Sequence, residues 1–183
     1  MKPRPGNVAE RFRWAVEVLD PAPSHRLLEI GCGQGVAVSL IAPRLSTGSI
    51  TAIDRSPSMI AQAARRNRDH VESGRVMLTA VALGDADLPA GRFDKVFAIN
   101  VRLLRGDADR EAEVLRRALG RGGGLYLFQQ HPSKARTEAV TKELGSALTA
   151  NGFKVREVLS RGTGSSTMTC IVAGGLPDRE GRR

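Results

Sequence analysis

Residues 27 to 35 read Leu27-Leu28-Glu29-Ile30-Gly31-Cys32-Gly33-Gln34-Gly35. They leave an apolar run that is typical of a strand and enter a segment that we predict to be helical from near Val36. Alternate glycines let the backbone bend sharply and approach a ligand closely, and free N–H groups at the following helix start favour a carboxylate or phosphate. A tight turn without a ligand is the alternative, but it needs fewer glycines. The stretch therefore predicts a nucleotide-like ligand.

An acidic residue, Asp54, ends the next apolar run. A spacing of about 20 residues after such a loop is the one at which an acidic side chain meets ribose hydroxyls. The alternative is a turn residue ahead of a helix. A dinucleotide is disfavoured, because its G-x-G-x-x-G/A pattern requires a small residue at the sixth place, where this chain has Val36.

Strand-like and helix-like segments alternate along the chain. Seven apolar runs predict strands, at Arg26 to Ile30, Ser49 to Ile53, Arg75 to Ala82, Phe93 to Ile99, Leu125 to Gln129, Phe153 to Ser160 and Thr167 to Ala173. Helical spacing predicts helices over Val8 to Leu19, after the cap Ser56-Pro57, over Ala112 to Leu119, and over Val140 to Leu148.

The order of these segments predicts the topology. Alternation favours a mostly parallel sheet with helices on both faces. We expect the glycines within 120–124 to stop the third of these helices. The connection Arg161 to Gly164 is too short for a crossover, so the last two strands should form an antiparallel hairpin.

Two further segments, taken together with the glycine loop and Asp54, carry a family resemblance. The pattern E-x-G-x-G-x-G at Glu29 to Gly35, together with Asp54, Gly91 to Val96 and Gly122 to Leu127, resembles the class I (Rossmann-like) S-adenosylmethionine-dependent methyltransferases. The resemblance spans about Leu27 to Ala173. It implies a three-layer α/β fold, with a seven-stranded, mostly parallel sheet that ends in an antiparallel hairpin. It also implies S-adenosylmethionine as cofactor, lying across the carboxyl ends of the first, second and fourth strands.

The resemblance implies a set of cofactor contacts. They are Glu29, Gly31, Cys32, Gly33, Gly35, Asp54, Arg55, Met59, Ala82, Leu83, Asn100 and Val101. The glycine loop would face the methionine and ribose part, Asp54 the ribose, and Arg55 and Met59 the adenine. Met59 has a core role as its alternative. After the third strand the family's acidic residue could align at Ala82 or at Asp85, and counting back from Phe93 favours Ala82.

The methyl acceptor is less constrained by the sequence. We expect its pocket at the carboxyl edge, near the loop after Asn100, residues 129–132 and the turn from Arg161 to Gly164. This pocket would be a rather open cleft, or else would be completed by the leading helix around Phe12 and Trp14 or by a second subunit. His131 is the candidate general base, with a surface histidine as the alternative. Arg102, Arg105 and Arg161 would either hold an acidic acceptor or be solvated. No Asn/Asp-Pro-Pro-Tyr/Phe or Pro-Cys motif appears, so we expect a small-molecule acceptor, with no metal.

Composition sets the remaining expectations. The chain has 183 residues and a net charge of +9, which makes an RNA-modifying enzyme an alternative, as is a non-catalytic protein that binds S-adenosylmethionine. The basic residues are spread along the chain, which favours a generally basic surface. We expect one domain over 1–183, with a leading helical segment at 1–22 and a disordered tail at 175–183. We also expect reduced cysteines, no membrane segment, a cytoplasmic location, and a monomer or homodimer.

Overall fold

The computed structural model describes residues 5–105, 108–163 and 166–175. The helices are α1 (Pro5–Leu19), α2 (Val36–Ile41), α3 (Pro57–Arg66), α4 (Arg68–Glu72), α5 (Ala108–Ala118) and α6 (Lys134–Ala150), with short 3-10 turns at Ala42–Arg44 and Leu83–Asp85. The strands are β1 (Arg26–Ile30), β2 (Ser49–Asp54), β3 (Val76–Ala80), β4 (Phe93–Ile99), β5 (Leu119–Gln130), β6 (Phe153–Thr163) and β7 (Ser166–Gly175).

The seven strands form one sheet in the order β3-β2-β1-β4-β5-β7-β6. Strands β1 to β5 pair in parallel, whereas β7 is antiparallel to both β5 and β6. This confirms the predicted fold, a mostly parallel sheet that ends in an antiparallel hairpin. The strand order reverses direction between β1 and β4, and in such α/β sheets ligands bind at the carboxyl ends beside that point.

Helices cover both faces of the sheet and bury its apolar side chains. On one face, Leu115 of α5 and Leu148 of α6 are completely buried against strand residues such as Val96. On the other face, Trp14 of α1 packs edge-on against Phe128 of β5, with ring centroids 5.6 Å apart. Burial on both faces explains why the central strands β1 and β2 are almost completely buried, whereas the edge strand β3 is largely exposed.

Two sequence-based expectations about strand ends are wrong. Residues 120–124 do not stop a helix but belong to β5, which pairs with β4 from Leu119 onwards. The register shifts there, and a Cβ on Gly123 would lie 2.9 Å from the carbonyl oxygen of Phe93. The glycines thus allow close approach of two backbones. Similarly, Arg161 lies within β6 and not in the hairpin connection, which is shorter than predicted.

The two ends of the chain agree in part with expectation. The leading helix begins at Pro5, earlier than the predicted start at Val8. Gly175 is the last residue of β7, so it does not belong to the predicted tail, and residues 176–183 of that tail lie outside the described residues. The single domain over 1–183 stays a prediction. None of the described helices is both long and apolar enough to cross a membrane.

Candidate active site

A cleft of about 600 Å³ opens at the carboxyl ends of β1, β2 and β4. It is lined by residues from each of these strand ends, from the segment after β3 and from α5: Ile30, Gly31, Ile53, Asp54, Arg55, Val81, Ala82, Leu83, Asn100, Val101, Arg102, Leu103 and Glu111. Seven of the residues expected to contact the cofactor therefore share one space, namely Gly31, Asp54, Arg55, Ala82, Leu83, Asn100 and Val101.

The glycine loop is tied to the neighbouring strand by its backbone. The N–H groups of Gly31 and Cys32 both donate to the carbonyl oxygen of Ile53, at 2.8 and 3.1 Å. Gly31 and Gly33 have φ values of +67° and +52°, which residues other than glycine rarely adopt. A Cβ on Gly31 would lie 2.5 Å from Cγ2 of Val101, whereas one on Gly33 would meet no atom within 4 Å. The loop is thus packed on one side and open at Gly33.

The Asp54 carboxylate is held against this loop. Its Oδ2 accepts the N–H of Gly33 at 2.9 Å, and its Oδ1 accepts the N–H of Ser56 at 2.9 Å. Ser56 in turn caps α3, with its hydroxyl accepting the N–H of Met59 at 3.4 Å. The glycine bend and the carboxylate therefore meet at one place, as the sequence predicted. Each carboxylate oxygen has a second lone pair for a ligand hydroxyl.

Asn67 is a supporting residue that the sequence analysis missed. Its side chain is buried, and its Nδ2 donates to the carbonyl oxygens of Gly35 and Ala63, at 3.1 and 2.9 Å. Arg66 adds a bond from its Nε to the carbonyl oxygen of Gln34 at 2.9 Å. Arg66 is the last residue of α3 and Asn67 separates α3 from α4, so no local signal connects them with the glycine loop. They fix the loop from behind.

Glu29, in β1, and Cys32, within the glycine loop, are both buried. Burial, followed by the negative charge of Asp54, raises the pKa of Glu29 to about 8. Its Oε2 has no hydrogen-bond partner among the residues that the structure describes. Burial, with the carboxylates of Glu29 and Asp54, also raises the pKa of the Cys32 thiol. Neither residue lines the cleft, so each lies behind its wall.

The positions of Ala82 and Asp85 after β3 distinguish the two possible alignments with the family's acidic residue. Ala82 and Leu83 line the cleft, whereas Asp85 is exposed and its Oδ1 pairs with Nη2 of Arg110 at 2.9 Å. Met59 is half-buried on α3 and does not line the cleft. The geometry thus favours the alignment at Ala82.

Asn100 fixes the end of β4 in an unusual conformation. Its φ is +57°, and its Oδ1 accepts the N–H of Gln130 at 2.7 Å while its own N–H donates to the carbonyl oxygen of Phe128 at 2.9 Å. Residues held at positive φ cluster at functional sites. The bonds turn the chain after β4, so that Val101 faces the glycine loop.

A second cavity of about 160 Å³ adjoins the cleft and is lined by His131, Arg102 and Arg105. The structure therefore brings three of the expected acceptor residues together. Arg161 lies elsewhere, because its Nη2 pairs with Glu17 at 2.8 Å and its guanidinium lies over the ring of Trp14. The indole of Trp14 is itself buried in the core, so the leading helix does not complete this cavity at that residue.

Two further residues of the site, Arg136 and Glu111, carry no sequence signal that indicates a functional role. Arg136, on α6, lines the second cavity, and Glu111, on α5, lines the cleft and accepts the N–H of Leu104 at 2.6 Å. Both lie on helices where charged residues alternate with apolar ones, which indicates only a solvated face. Within the described ranges, no cluster of three or more His, Cys, Asp or Glu side chains could hold a metal ion.

Comparisons with known proteins agree with this geometry. A family model described as a methyltransferase domain matches residues 28–125. The chain is 25% identical over 165 residues to an uncharacterized methyltransferase, YdaC, of Bacillus subtilis, covering 88% of this chain and 89% of that protein. It is 28% identical over 140 residues to a trans-aconitate 2-methyltransferase of Delftia acidovorans, covering 75% of this chain and 51% of that protein.

A solved structure supports the fold. A SAM-dependent methyltransferase from Aquifex aeolicus superposes with a TM-score of 0.75 at 16% identity, covering 94% of this chain and 98% of that chain.

The chain spans only 25% and 43% of the lengths of two other relatives that it matches. The family model itself covers more than half of the chain and includes the glycine loop and Asp54. The chain therefore belongs to the methyltransferase domain family, within the class I methyltransferases that use S-adenosylmethionine.

Proposed function

We propose that this chain transfers the methyl group of S-adenosylmethionine to a small-molecule acceptor by in-line displacement. One observation carries the proposal: the cleft that holds the glycine loop and Asp54 adjoins a second, smaller cavity across Asn100, Val101, Arg102 and Leu103. A cofactor in the cleft and an acceptor in the cavity would thus be neighbours. A relative named for trans-aconitate, itself a small molecule, supports this class of acceptor.

The residues of the cleft suit this cofactor. Asp54 offers carboxylate oxygens for the ribose hydroxyls, while the open position at Gly33 leaves room for a close ligand. Arg55, Ala82 and Leu83 line the part of the cleft that follows β2 and β3, where we place the adenine. Gly31 and Gly35 shape the bend, and Asn100 and Val101 close the end toward the acceptor. Met59, Glu29 and Cys32 would act through the residues that they support.

The protein's chemical task is mainly positional. When bound, S-adenosylmethionine supplies an activated methyl group, so the residues around it have to align the acceptor and exclude water. Val101 and Leu103 form the apolar part of the shared wall. His131 is our candidate for a base: burial, Arg136 and Arg102 lower the pKa of its imidazole, which favours the uncharged form that a base requires.

The proposal is tested by binding and by turnover. Isothermal titration should show binding of S-adenosylmethionine and S-adenosylhomocysteine, and no binding of NAD or NADP. Incubation with S-adenosylmethionine and a panel of small acids that includes trans-aconitate should then release S-adenosylhomocysteine with at least one of them. Binding of NAD in place of the other two ligands would refute the proposal. Tight cofactor binding without turnover on a broad panel would instead indicate a non-catalytic sensor.

The net charge of +9 favours a second candidate, an RNA-modifying methyltransferase. Retention of an oligoribonucleotide that weakens steeply between 50 and 200 mM salt would support it, as expected when several phosphates are neutralised. No retention at the lower salt concentration would remove it. We further propose a cytoplasmic protein, because both cysteines are free and buried, and size-exclusion chromatography would distinguish the predicted monomer from a homodimer.

A further inference from the structure

The cavity of about 160 Å³ lies between the loop after β4, the end of β5 and α6. A cavity of about 150 Å³ admits a molecule the size of benzene. Because Arg102 lines both this cavity and the cofactor cleft, a ligand here lies at the cofactor's wall. The space therefore fits a small molecule next to the methyl donor.

The wall of this cavity carries an excess of positive charge. Nη2 of Arg105 lies 2.5 Å from Oε2 of Glu143, so these two side chains neutralise each other. Arg102 and Arg136 also line the cavity, and neither pairs with a carboxylate of any residue in the described ranges. Guanidinium groups bind carboxylate and phosphate groups through paired hydrogen bonds. The two arginines leave a place for an anion.

His131 lies with these arginines. Its Nε2 is buried and has no hydrogen-bond partner within the part of the chain that the structure describes. The charges of Arg136 and Arg102 both act on its imidazole and, after burial, lower its pKa. A buried nitrogen without a partner is costly unless a ligand or water supplies one. The imidazole is thus available to a polar group of a ligand.

The rest of the wall is apolar. Leu103 and Leu104 come from the loop after β4, and Val140, Leu144 and Ala147 come from one face of α6. Pockets for small molecules combine such apolar walls with a few polar groups that fix orientation. A ligand with one anionic end and a short hydrocarbon body fits this arrangement.

We propose that this cavity binds the methyl acceptor and that the acceptor is a small organic anion, whose carboxylate or phosphate group lies between Arg102 and Arg136 and whose apolar body packs against α6. The proposal rests on the function proposed above. The small volume favours a free molecule over the phosphate backbone of RNA.

The test follows the imidazole signals of the chain's three histidines, His25, His70 and His131, by NMR during pH titration. The protein is saturated with S-adenosylhomocysteine, whose binding is first measured by calorimetry. Succinate or inorganic phosphate should raise the pKa of His131 and leave His25 and His70 unmoved, because an anion offsets the charges of Arg102 and Arg136. The remaining charged groups at the cavity, Arg105 and Glu143, already pair with each other. Succinamide, of similar shape and no charge, should have no effect.

Variants localise the anion. Arg102→Gln and Arg136→Gln should each weaken the binding of the effective anion roughly tenfold, the effect of losing one charge-assisted contact. Arg68→Gln, at an exposed arginine of α4, should not. The proposal is overturned if S-adenosylhomocysteine binds and neither anion moves His131, if Arg68→Gln weakens binding equally, or if only an oligoribonucleotide moves His131. Failure of S-adenosylhomocysteine to bind would refute the proposed function and this proposal with it.

Discussion

Oδ2 of Asp54 accepts the backbone N–H of Gly33 at 2.9 Å, which joins the end of β2 to the glycine loop after β1. The other oxygen, Oδ1, accepts the N–H of Ser56 at the start of α3. One carboxylate therefore sets the relative position of the loop, of β2 and of a helix. This arrangement places a carboxylate at the edge of the cleft.

Replacement of Asp54 should weaken cofactor binding. Asp54→Ala removes the acceptor for the N–H of Gly33 and the proposed acceptor for the ribose hydroxyls, and we expect affinity for S-adenosylhomocysteine to fall by roughly tenfold to a hundredfold, since hydrogen bonds to charged groups contribute about 1.5–3 kcal/mol. Isothermal titration measures the change. Asp85→Ala is the matched control, because Asp85 pairs with Arg110 outside the cleft and should leave affinity unchanged. The reverse result would favour the alignment at Asp85.

Gly35→Ala should destabilise the fold more than an ordinary glycine replacement does. Gly35 has a φ of +70°, and an added Cβ would lie 2.6 Å from Nδ2 of Asn67 and 2.9 Å from Cβ of Ala63. Gly74 has a φ of +72° with open space around its Cβ position, so Gly74→Ala measures the conformational cost alone, about 1–2 kcal/mol. We expect Gly35→Ala to lose about 1–3 kcal/mol more in urea unfolding. Equal losses would show that the loop tolerates the added group.

Local sequence patterns predicted helices and strands correctly where the preference of the local segment agreed with its tertiary contacts. Ser56 and Pro57 predicted a helix start, and the Ser56 hydroxyl does accept the N–H of Met59. The glycines of 120–124 misled, because their local preference for a helix stop was overridden by pairing between β4 and β5. A local pattern does not indicate that glycines in a strand allow close approach of a backbone segment that is distant along the chain.

The site shows the same division. Asp54 and the glycine loop could be predicted to lie together, because their residue types and spacing are typical of a nucleotide-binding loop and its acidic partner. Asn67 and Arg136 were not, because each acts through contacts with residues that are distant along the chain: Asn67 with Gly35, and Arg136 with the cavity that also contains Arg102. Their own sequence surroundings are those of ordinary helix ends.

Neither cysteine should react rapidly in the folded protein. Cys32 is 6% exposed and Cys170 is 0% exposed, and burial raises the pKa of both thiols. Because the thiolate is the reacting form, we expect negligible modification by Ellman's reagent at pH 8 and two reactive thiols after unfolding in guanidinium. Cys32→Ala should leave one thiol in the unfolded protein. Rapid modification of a thiol in the folded wild type would contradict the buried positions of the two cysteines.

Stability should fall as the pH rises, because of Glu29. The pKa of this carboxyl is about 8 in the folded protein, above its ordinary value of 4.5, mainly through burial. Its contribution to stability is therefore complete below about pH 4.5 and is lost as the pH rises through 8. Glu29→Gln cannot ionise, so its free energy of unfolding in urea should match that of the wild type near pH 4.5 and exceed it at pH 9 by up to about 5 kcal/mol, the limit set by a pKa raised from 4.5 to about 8. Glu72→Gln, at an exposed carboxylate, controls for the loss of one negative charge. A wild-type curve that runs parallel to that of Glu29→Gln from pH 5 to 9 would show that Glu29 is ionised in the folded protein and would contradict this prediction.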